Sequence, residues 1–179
     1  MEKSTVRRSQ TTEDFNGQIR VFPNPTEVNW FIKFDNNVVP VKANGTATST
    51  KWNRVIGLDF ESTLNTLEMY IALMWRYNET TNLIELAVQT KYKLSKRSKK
   101  LSSILATCKP EQQIRIQVLV TQTLWTLAIT FPDQEPISYE YAPKIAKRKY
   151  MWATEVNWYF DEPTTQDYTL YKECLTPSG

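Results

Sequence analysis

The sequence predicts an all-β protein, an antiparallel β-sandwich, and three observations predict it. Apolar residues recur at period two in run after run. Trp, Tyr and Phe make up 12% of the chain, a bias toward strands over helices. No apolar stripe at i, i+3, i+4 lasts beyond about two helical turns. With 179 residues, 41% of them hydrophobic, the chain is long enough for one domain with a real core.

Taken in order, residues 1–18 are polar, carry Arg7 and Arg8 and show no periodicity, so they are read as a flexible polar arm. Residues 19–175 are read as a single sandwich domain and 176–179 as a tail. Val28, Trp30, Ile32 and Phe34 share one parity, with Asn29, Lys33 and Asp35 on the other, the pattern of a half-buried strand. Over 66–77, Leu67, Met69, Ile71, Leu73, Trp75 and Tyr77 line one face and Glu68, Tyr70, Ala72, Met74 and Arg76 the other, which excludes a helix. The turn "NETTN" leads to a partner strand from Leu83 to about Lys91, with Ile84, Leu86 and Val88 inward. A second hairpin joins Ile114, Ile116, Val118 and Val120 to Trp125, Leu127, Ile129 and Phe131, turning near Thr121-Gln122. "KRKYMWATEVNWYF" at 147–160 and "QDYTLYKECL" at 166–175 complete about ten strand-like runs. "PEQQIRI" and "ESTLNTLEM" have room for one helical turn each and are read as the starts of strands. Asn44-Gly45-Thr46 and Asn78-Glu79-Thr80 match the glycosylation pattern and are read as turn chemistry.

"YKLSKRSKKL" at 92–101 concentrates positive charge in a chain of net charge only +3. It lies between two strand-like runs, so a hairpin end with its charges splayed into water is the first reading. Lys144, Lys147, Arg148 and Lys149 form a second basic group before a strand. If the fold brings the groups together, Lys93, Lys96, Arg97, Lys99, Lys100, Lys147 and Arg148 are an anion-binding set for phosphates or acidic glycans. Tyr92 and Tyr150 flank them without a base-stacking module signature, so nucleic-acid binding would be electrostatic and non-specific. Cys108 and Cys174 match no metal or redox spacing and are read as reduced thiols. The N-terminal stretch has no apolar signal region, and no run approaches the ~18 apolar residues of a membrane span. The expectation is cytoplasmic synthesis and no membrane partner.

"KWNRVIGLDF" at 51–60, "MWRYNETTNLIELAV" at 74–88 and "WYFDEPTTQDYTLY" at 158–171 resemble small uncharacterised proteins of Bacteroidota and their phages. In that family a Trp-x-x-x-x-Gly strand leads to a Gly-Trp-Arg strand and an Ile-Glu-Ile hairpin partner. A Tyr-Phe-Gly-Gly segment and Pro-Ala-Pro-His-Asp come near the end. The resemblance spans about 28–172 and implies a jelly-roll, concanavalin-like sandwich, the architecture also of laminin-G modules and several polysaccharide lyases. The family's Gly-Gly pair is Asp161-Glu162 here and its His-Asp pair is Gln166-Asp167.

The chain has no histidine, which excludes His-based triads and His metal sites. What remains for an enzyme is a carboxylate pair, as in glycosidases, or a Tyr-Arg-Lys set for proton abstraction from a sugar. Glu68, Tyr70, Arg76, Glu85, Gln89 and Arg115 share outward parity on their strands. Tyr70, Arg76, Glu85, Gln89 and Arg115 are therefore the candidate ligand-binding face, the ordinary alternative being a solvated face with cross-strand ion pairs. Tyr70, Trp152 and Trp158 are candidate aromatic platforms. Asp161, Glu162 and Asp167 match no calcium loop and are read as a solvated acidic turn, so neither metal nor cofactor is expected.

The leading functional expectation is a non-catalytic binding or assembly module. It would be a structural part of a phage or mobile-element particle, with virion location, or a glycan- or protein-recognising domain. A protein partner or self-association is expected. A carbohydrate-active enzyme, a glycan lyase or hydrolase working on the outward face, is the first alternative. An electrostatic nucleic-acid-contacting protein is the second.

Overall fold

In the computed structural model, residues 1–13, 20–40, 51–60, 69–92, 99–143, 152–156 and 158–177 are described. The strands are β1 (Glu2–Val6), β2 (Val21–Pro23), β3 (Glu27–Phe34), β4 (Asn53–Phe60), β5 (Tyr70–Asn78), β6 (Leu83–Lys91), β7 (Lys100–Leu101), β8 (Ala106–Cys108), β9 (Gln113–Val120), β10 (Trp125–Thr130), β11 (Ile137–Tyr141), β12 (Trp152–Glu155) and β13 (Tyr168–Cys174). A 3-10 turn at Asn36–Val38 is the sole helical element among the described residues. No described helix is long and apolar enough to cross a membrane.

Among the described residues all pairings are antiparallel and fall into two sheets. Sheet I runs β1-β13-β3-β9-β10-β11, and sheet II runs β2-β12-β4-β5-β6-β7, with β8 also on β6. Parity decides what lies between them. Trp30, Ile32 and Phe34 of β3 and Ile114, Ile116 and Val118 of β9 face Leu58 and Phe60 of β4, Ile71, Leu73 and Trp75 of β5, and Leu86 and Val88 of β6 in one buried cluster. Phe60 stacks on Trp125 with ring centroids 4.5 Å apart, and Phe34 meets Trp75 at 5.3 Å. These contacts cross from sheet to sheet, as in sandwiches.

Turn chemistry replaces glycine. The Asn78 carboxamide oxygen accepts the amides of Thr80 and Thr81 at 2.9 and 3.3 Å, and Asn82 takes a left-handed φ of 57°. Asn78 is therefore turn chemistry, while Asn44 lies outside the described residues. Thr121 closes the β9–β10 turn through its hydroxyl, which accepts the Leu124 amide at 2.9 Å. "PEQQIRI" is a turn into β9, with Glu111 at φ 67° and its amide on Phe34 O. Of "ESTLNTLEM", 61–68 lie outside the described residues.

The polar-arm reading of 1–18 is corrected over its described part. Residues 2–6 are the edge strand of sheet I, with Glu2 opposite Lys172 and Val6 opposite Tyr168. Residues 9–12 then run beside 159–164: Ser9 N donates to Thr164 O at 2.8 Å, Phe160 N to Thr11 O at 2.8 Å, and Thr12 bridges Tyr159. The physical reason is pairing without an apolar signature, since Ser4 is buried by its bond to the Glu13 carboxylate. Thr176, assigned to the tail, accepts the Asn29 amide at 2.9 Å.

Glu13 belongs to a buried ionic group between the sheets. Its carboxylate accepts Lys172 Nζ at 2.9 Å and Trp158 N at 3.2 Å. Glu155, beside it, accepts Trp30 Nε1 at 2.6 Å and lies 3.7 Å from Arg20 Nε and 3.9 Å from Lys172. Burial pushes the Glu155 carboxyl above its ordinary value, with Glu13 adding to the shift, while Lys172, Trp30 and Arg20 oppose it. A raised carboxyl makes the folded state the better proton binder. Its contribution to stability is full below the unfolded value and is lost as pH rises through the folded one. Glu155→Gln is thus expected to melt no lower than wild type at neutral pH and to flatten the change in melting temperature between mildly acidic and neutral solution. A large loss at neutral pH would show that the charge on Glu155 is needed.

Candidate functional site

Strict alternation along β4 would turn Arg54 into the core with Ile56 and Leu58. A register shift between Arg54 and Ile56 prevents it. Val55 and Ile56 are both buried in the core, the two-against-one pattern of a bulge. Arg54 is thereby re-aimed to the outer face of sheet II, beside Gly57 and Asp59.

The floor of that face is made of small residues. Gly57 pairs with Ala72, and Ala72 with Gln89. Val156 closes one side, its amide donating to Gly57 O at 2.9 Å. Main-chain bonds in both directions tie Arg54 to Tyr159, at 3.0 and 3.2 Å. The result is a pit of about 470 Å³, walled by Trp52, Arg54, Tyr70 and Tyr159 and reached by Gln89, Lys99, Lys51 and Asp161. That volume falls within the usual range for ligand sites.

The Arg54 guanidinium in the wall of the pit lies 4.5 Å from the Tyr159 ring centre and 5.8 Å from that of Tyr70. The Tyr70 hydroxyl donates to Gln89 Oε1 at 2.6 Å and accepts from Arg54. Burial pushes the Tyr70 phenol above its ordinary value. The nearby Arg54 charge and hydrogen bond oppose the shift, and Asp161 and Asp59 add to it. Burial also lowers Arg54, opposed by Tyr70, Tyr159, Asp161 and Asp59. A guanidinium stays protonated through any such shift at neutral pH.

The residues singled out in sequence separate into distinct places. Tyr70 and Gln89 meet in the pit. Arg76 and Glu85 lie further along the same face as a directly opposed pair, Arg76 Nε donating to Glu85 Oε2 at 2.5 Å. Arg115 is on the outer face of sheet I, bonded to Asn29 Oδ1 at 3.1 Å, so it cannot share a site with the others. Glu68 lies outside the described residues, as do Lys93, Lys96, Arg97, Lys147 and Arg148. Lys99 lines the pit, and Lys100, on β7, lies 5.9 Å from the Tyr141 ring centre. Trp158 is wholly buried in the core and is no platform, and Trp152 is half-buried on β12. The acidic turn is shared out: Asp161 lines the pit, Glu162 pairs with Lys51, and Asp167 accepts the Arg8 amide at 2.8 Å. Cys108 and Cys174 are free thiols, and burial pushes Cys108 up to about 12.

Sequence reasoning missed Arg54, Trp52 and Tyr159. The signal for Arg54 was its charge at core parity, which only a bulge relieves. Tyr159 reaches the pit through single bridges that no periodicity marks.

No family model matches the chain, and no curated protein matches it. Solved structures do. An alginate lyase from Klebsiella pneumoniae superposes with TM-score 0.59 at 8% identity, over 86% of this chain and 59% of that one. An alginate lyase from Pseudomonas aeruginosa gives 0.57 at 10% identity, over 94% and 72%. A functionally unknown protein from Saccharomyces cerevisiae gives 0.55 at 8% identity, over 99% and 89%. The chain thus spans about three fifths of the Klebsiella enzyme's length, and what it has in common with these structures is the jelly-roll β-sandwich fold.

Proposed function

We propose that the protein is a non-catalytic saccharide-recognition module whose pit on sheet II takes a unit of an acidic polysaccharide. The observation that carries this reading is Arg54, a cation carried to the outer face by a bulge and seated between two tyrosine rings. In the pit Arg54 and Lys99, with Lys51 paired to Glu162, face one lining carboxylate among the described residues, Asp161. Trp52, Tyr70 and Tyr159 offer aromatic faces against which sugar rings pack.

The same geometry speaks against turnover. Elimination from a uronate needs a base for the ring proton. Tyr70 is the residue placed for that role; a phenol is ordinarily protonated at neutral pH, and burial pushes this one further up. Hydrolysis needs two carboxyl groups flanking the bond, and Asp161 is the sole carboxylate lining the pit among the described residues.

Alginate, on which the lyases of this fold act, is a polyuronate and the natural first probe. In affinity electrophoresis at low salt, alginate or polygalacturonate is expected to retard the protein and a neutral glucan is not, with retardation falling as salt rises. Arg54→Ala removes a charge-assisted contact of about 1.5–3 kcal/mol, a loss of roughly ten- to a hundredfold in affinity. Arg115→Ala, on the other sheet, is expected to match wild type. Migration unaffected by either polyuronate would refute the reading. Growth of the ultraviolet absorbance of an unsaturated uronate would show elimination and overturn the non-catalytic part.

A further inference from the structure

The outer face of sheet II carries a second set of contacts beside the pit, and its residues point inward to one side chain. The Arg76 guanidinium lies 4.6 Å from the Trp52 ring centre. Its Nε donates to Glu85 Oε2 at 2.5 Å, and the other carboxylate oxygen, Oε1, accepts Asn78 Nδ2 at 2.7 Å. Asn78 is itself held by the hairpin turn, whose Thr80 and Thr81 amides bond its carboxamide oxygen. The turn therefore fixes Asn78, Asn78 and Arg76 fix Glu85, and Glu85 fixes the guanidinium against the indole. Burial opposes the charge on Glu85, but the hydrogen bonds from Asn78 and Arg76 and the Arg76 charge hold its carboxyl below the ordinary value. Arg76 is thus already matched by a carboxylate with both oxygens engaged, which makes it a poor direct partner for a ligand anion.

From this arrangement we infer that Trp52 is the stacking platform for a pyranose ring of the bound acidic saccharide, and that Arg76, Glu85 and Asn78 are the positioning residues that set its orientation. The inference rests on the reading of the pit as a saccharide site. It divides the labour there. Arg54 and Lys99 meet the ligand's charge, and Trp52 meets the apolar face of a sugar ring. An indole backed by a planar cation on one side has its rotation restricted, and the surface it turns to the pit is set before any ligand arrives, so less freedom is lost on binding. Sequence parity placed Arg76 and Glu85 on the ligand face. Their contacts with Trp52 and with each other favour a place behind it.

The test compares Trp52→Ala, Trp52→Phe, Arg76→Lys and Glu85→Gln with Arg54→Ala, titrating each with alginate oligosaccharides at several salt concentrations. Trp52→Ala is expected to lower affinity about tenfold and Trp52→Phe to retain part of it. Arg76→Lys, which keeps the charge and loses the plane, is expected to lower affinity while leaving the salt dependence as in wild type, whereas Arg54→Ala reduces that dependence. Combining Glu85→Gln with Trp52→Ala should cost no more than Trp52→Ala alone, because both act through one ring. In the unliganded protein, Glu85→Gln should increase quenching by acrylamide of the fluorescence component that Trp52→Phe removes. That readout needs no ligand and no change in stability. Binding that survives Trp52→Ala and is lost in Arg54→Ala overturns the platform and leaves the saccharide site standing. An equal loss of salt dependence in the Arg76 and Arg54 variants makes Arg76 a direct contact and overturns the positioning role. Failure of the wild type to bind any polyuronate removes the saccharide site and the platform with it.

Discussion

Removing residues 1–13 is expected to abolish cooperative thermal unfolding of this protein or to lower its midpoint by more than about 10 °C. Three losses coincide. Sheet I loses β1, whose Val6 is wholly buried and whose Ser4 bonds the Glu13 carboxylate. Lys172, with its side chain only 12% exposed, loses the carboxylate 2.9 Å away and keeps Glu155 at 3.9 Å. Breaking a buried pair from one side costs about 3–5 kcal/mol, a large part of the roughly 5–15 kcal/mol that holds a domain together. The third loss reaches the pit, because Ser9, Gln10, Thr11 and Thr12 support the 159–164 segment that carries Tyr159 and Asp161. Circular dichroism melts of the truncated chain, with Glu13→Ala as the single-residue companion at about 3 kcal/mol, check this. A protease that trims the segment and leaves the melting curve in place would return residues 1–13 to the status of an arm.

The same segment shows where sequence reading stops. The long alternating runs around Trp30, Leu73, Leu86, Ile116 and Leu127 became β3, β5, β6, β9 and β10 with the predicted parity inward, because many apolar side chains at period two leave one solution. β1 has one fully buried apolar residue, and its burial depends on Glu13 and Lys172, far apart in the chain. β11, "ISYEY", alternates half-buried Ile137, Tyr139 and Tyr141 with exposed Ser138 and Glu140, a weak signal just after Pro136. Parity also tells which face a residue takes within its sheet, never which sheet the strand joins. Arg115 and Tyr70 were therefore grouped on shared parity and prove to lie on opposite outer faces of the sandwich. Trp52 and Arg54 were hidden for a different reason, since a bulge between Arg54 and Ile56 reverses the parity of β4 and its one local mark is the charge of Arg54 at a core position.

Gly57→Ala is expected to destabilise the protein by about 3 kcal/mol or more, above the usual range for adding one methyl group to a packed site. A Cβ at Gly57 would stand 2.1 Å from Ile71 O and 2.6 Å from Ala72 Cα. Both are main-chain atoms of β5, a central strand paired on one side with β4 and on the other with β6, so no rotamer change relieves the clash. β4 must instead move away from β5, loosening the Gly57–Ala72 pairing and distorting the bond from Val156 N to Gly57 O on its other side. The obstacle is backbone, and this separates the explanation from crowding by side chains. Gly57→Ala combined with Ala72→Gly should remain as unstable as Gly57→Ala alone, because deleting the Ala72 methyl leaves Ile71 O and the Ala72 Cα in place. At about 2–4 °C per kcal/mol for a chain of this size, the melting midpoint should fall by about 10 °C. A second consequence follows from position, since Gly57 lies just beyond the bulge that turns Arg54 outward. Any fraction that stays folded should bind polyuronate less tightly than wild type, and by more than its stability loss accounts for. A midpoint within about 2 °C of wild type, or rescue by Ala72→Gly, would show that β4 and β5 are not held as closely as this contact requires.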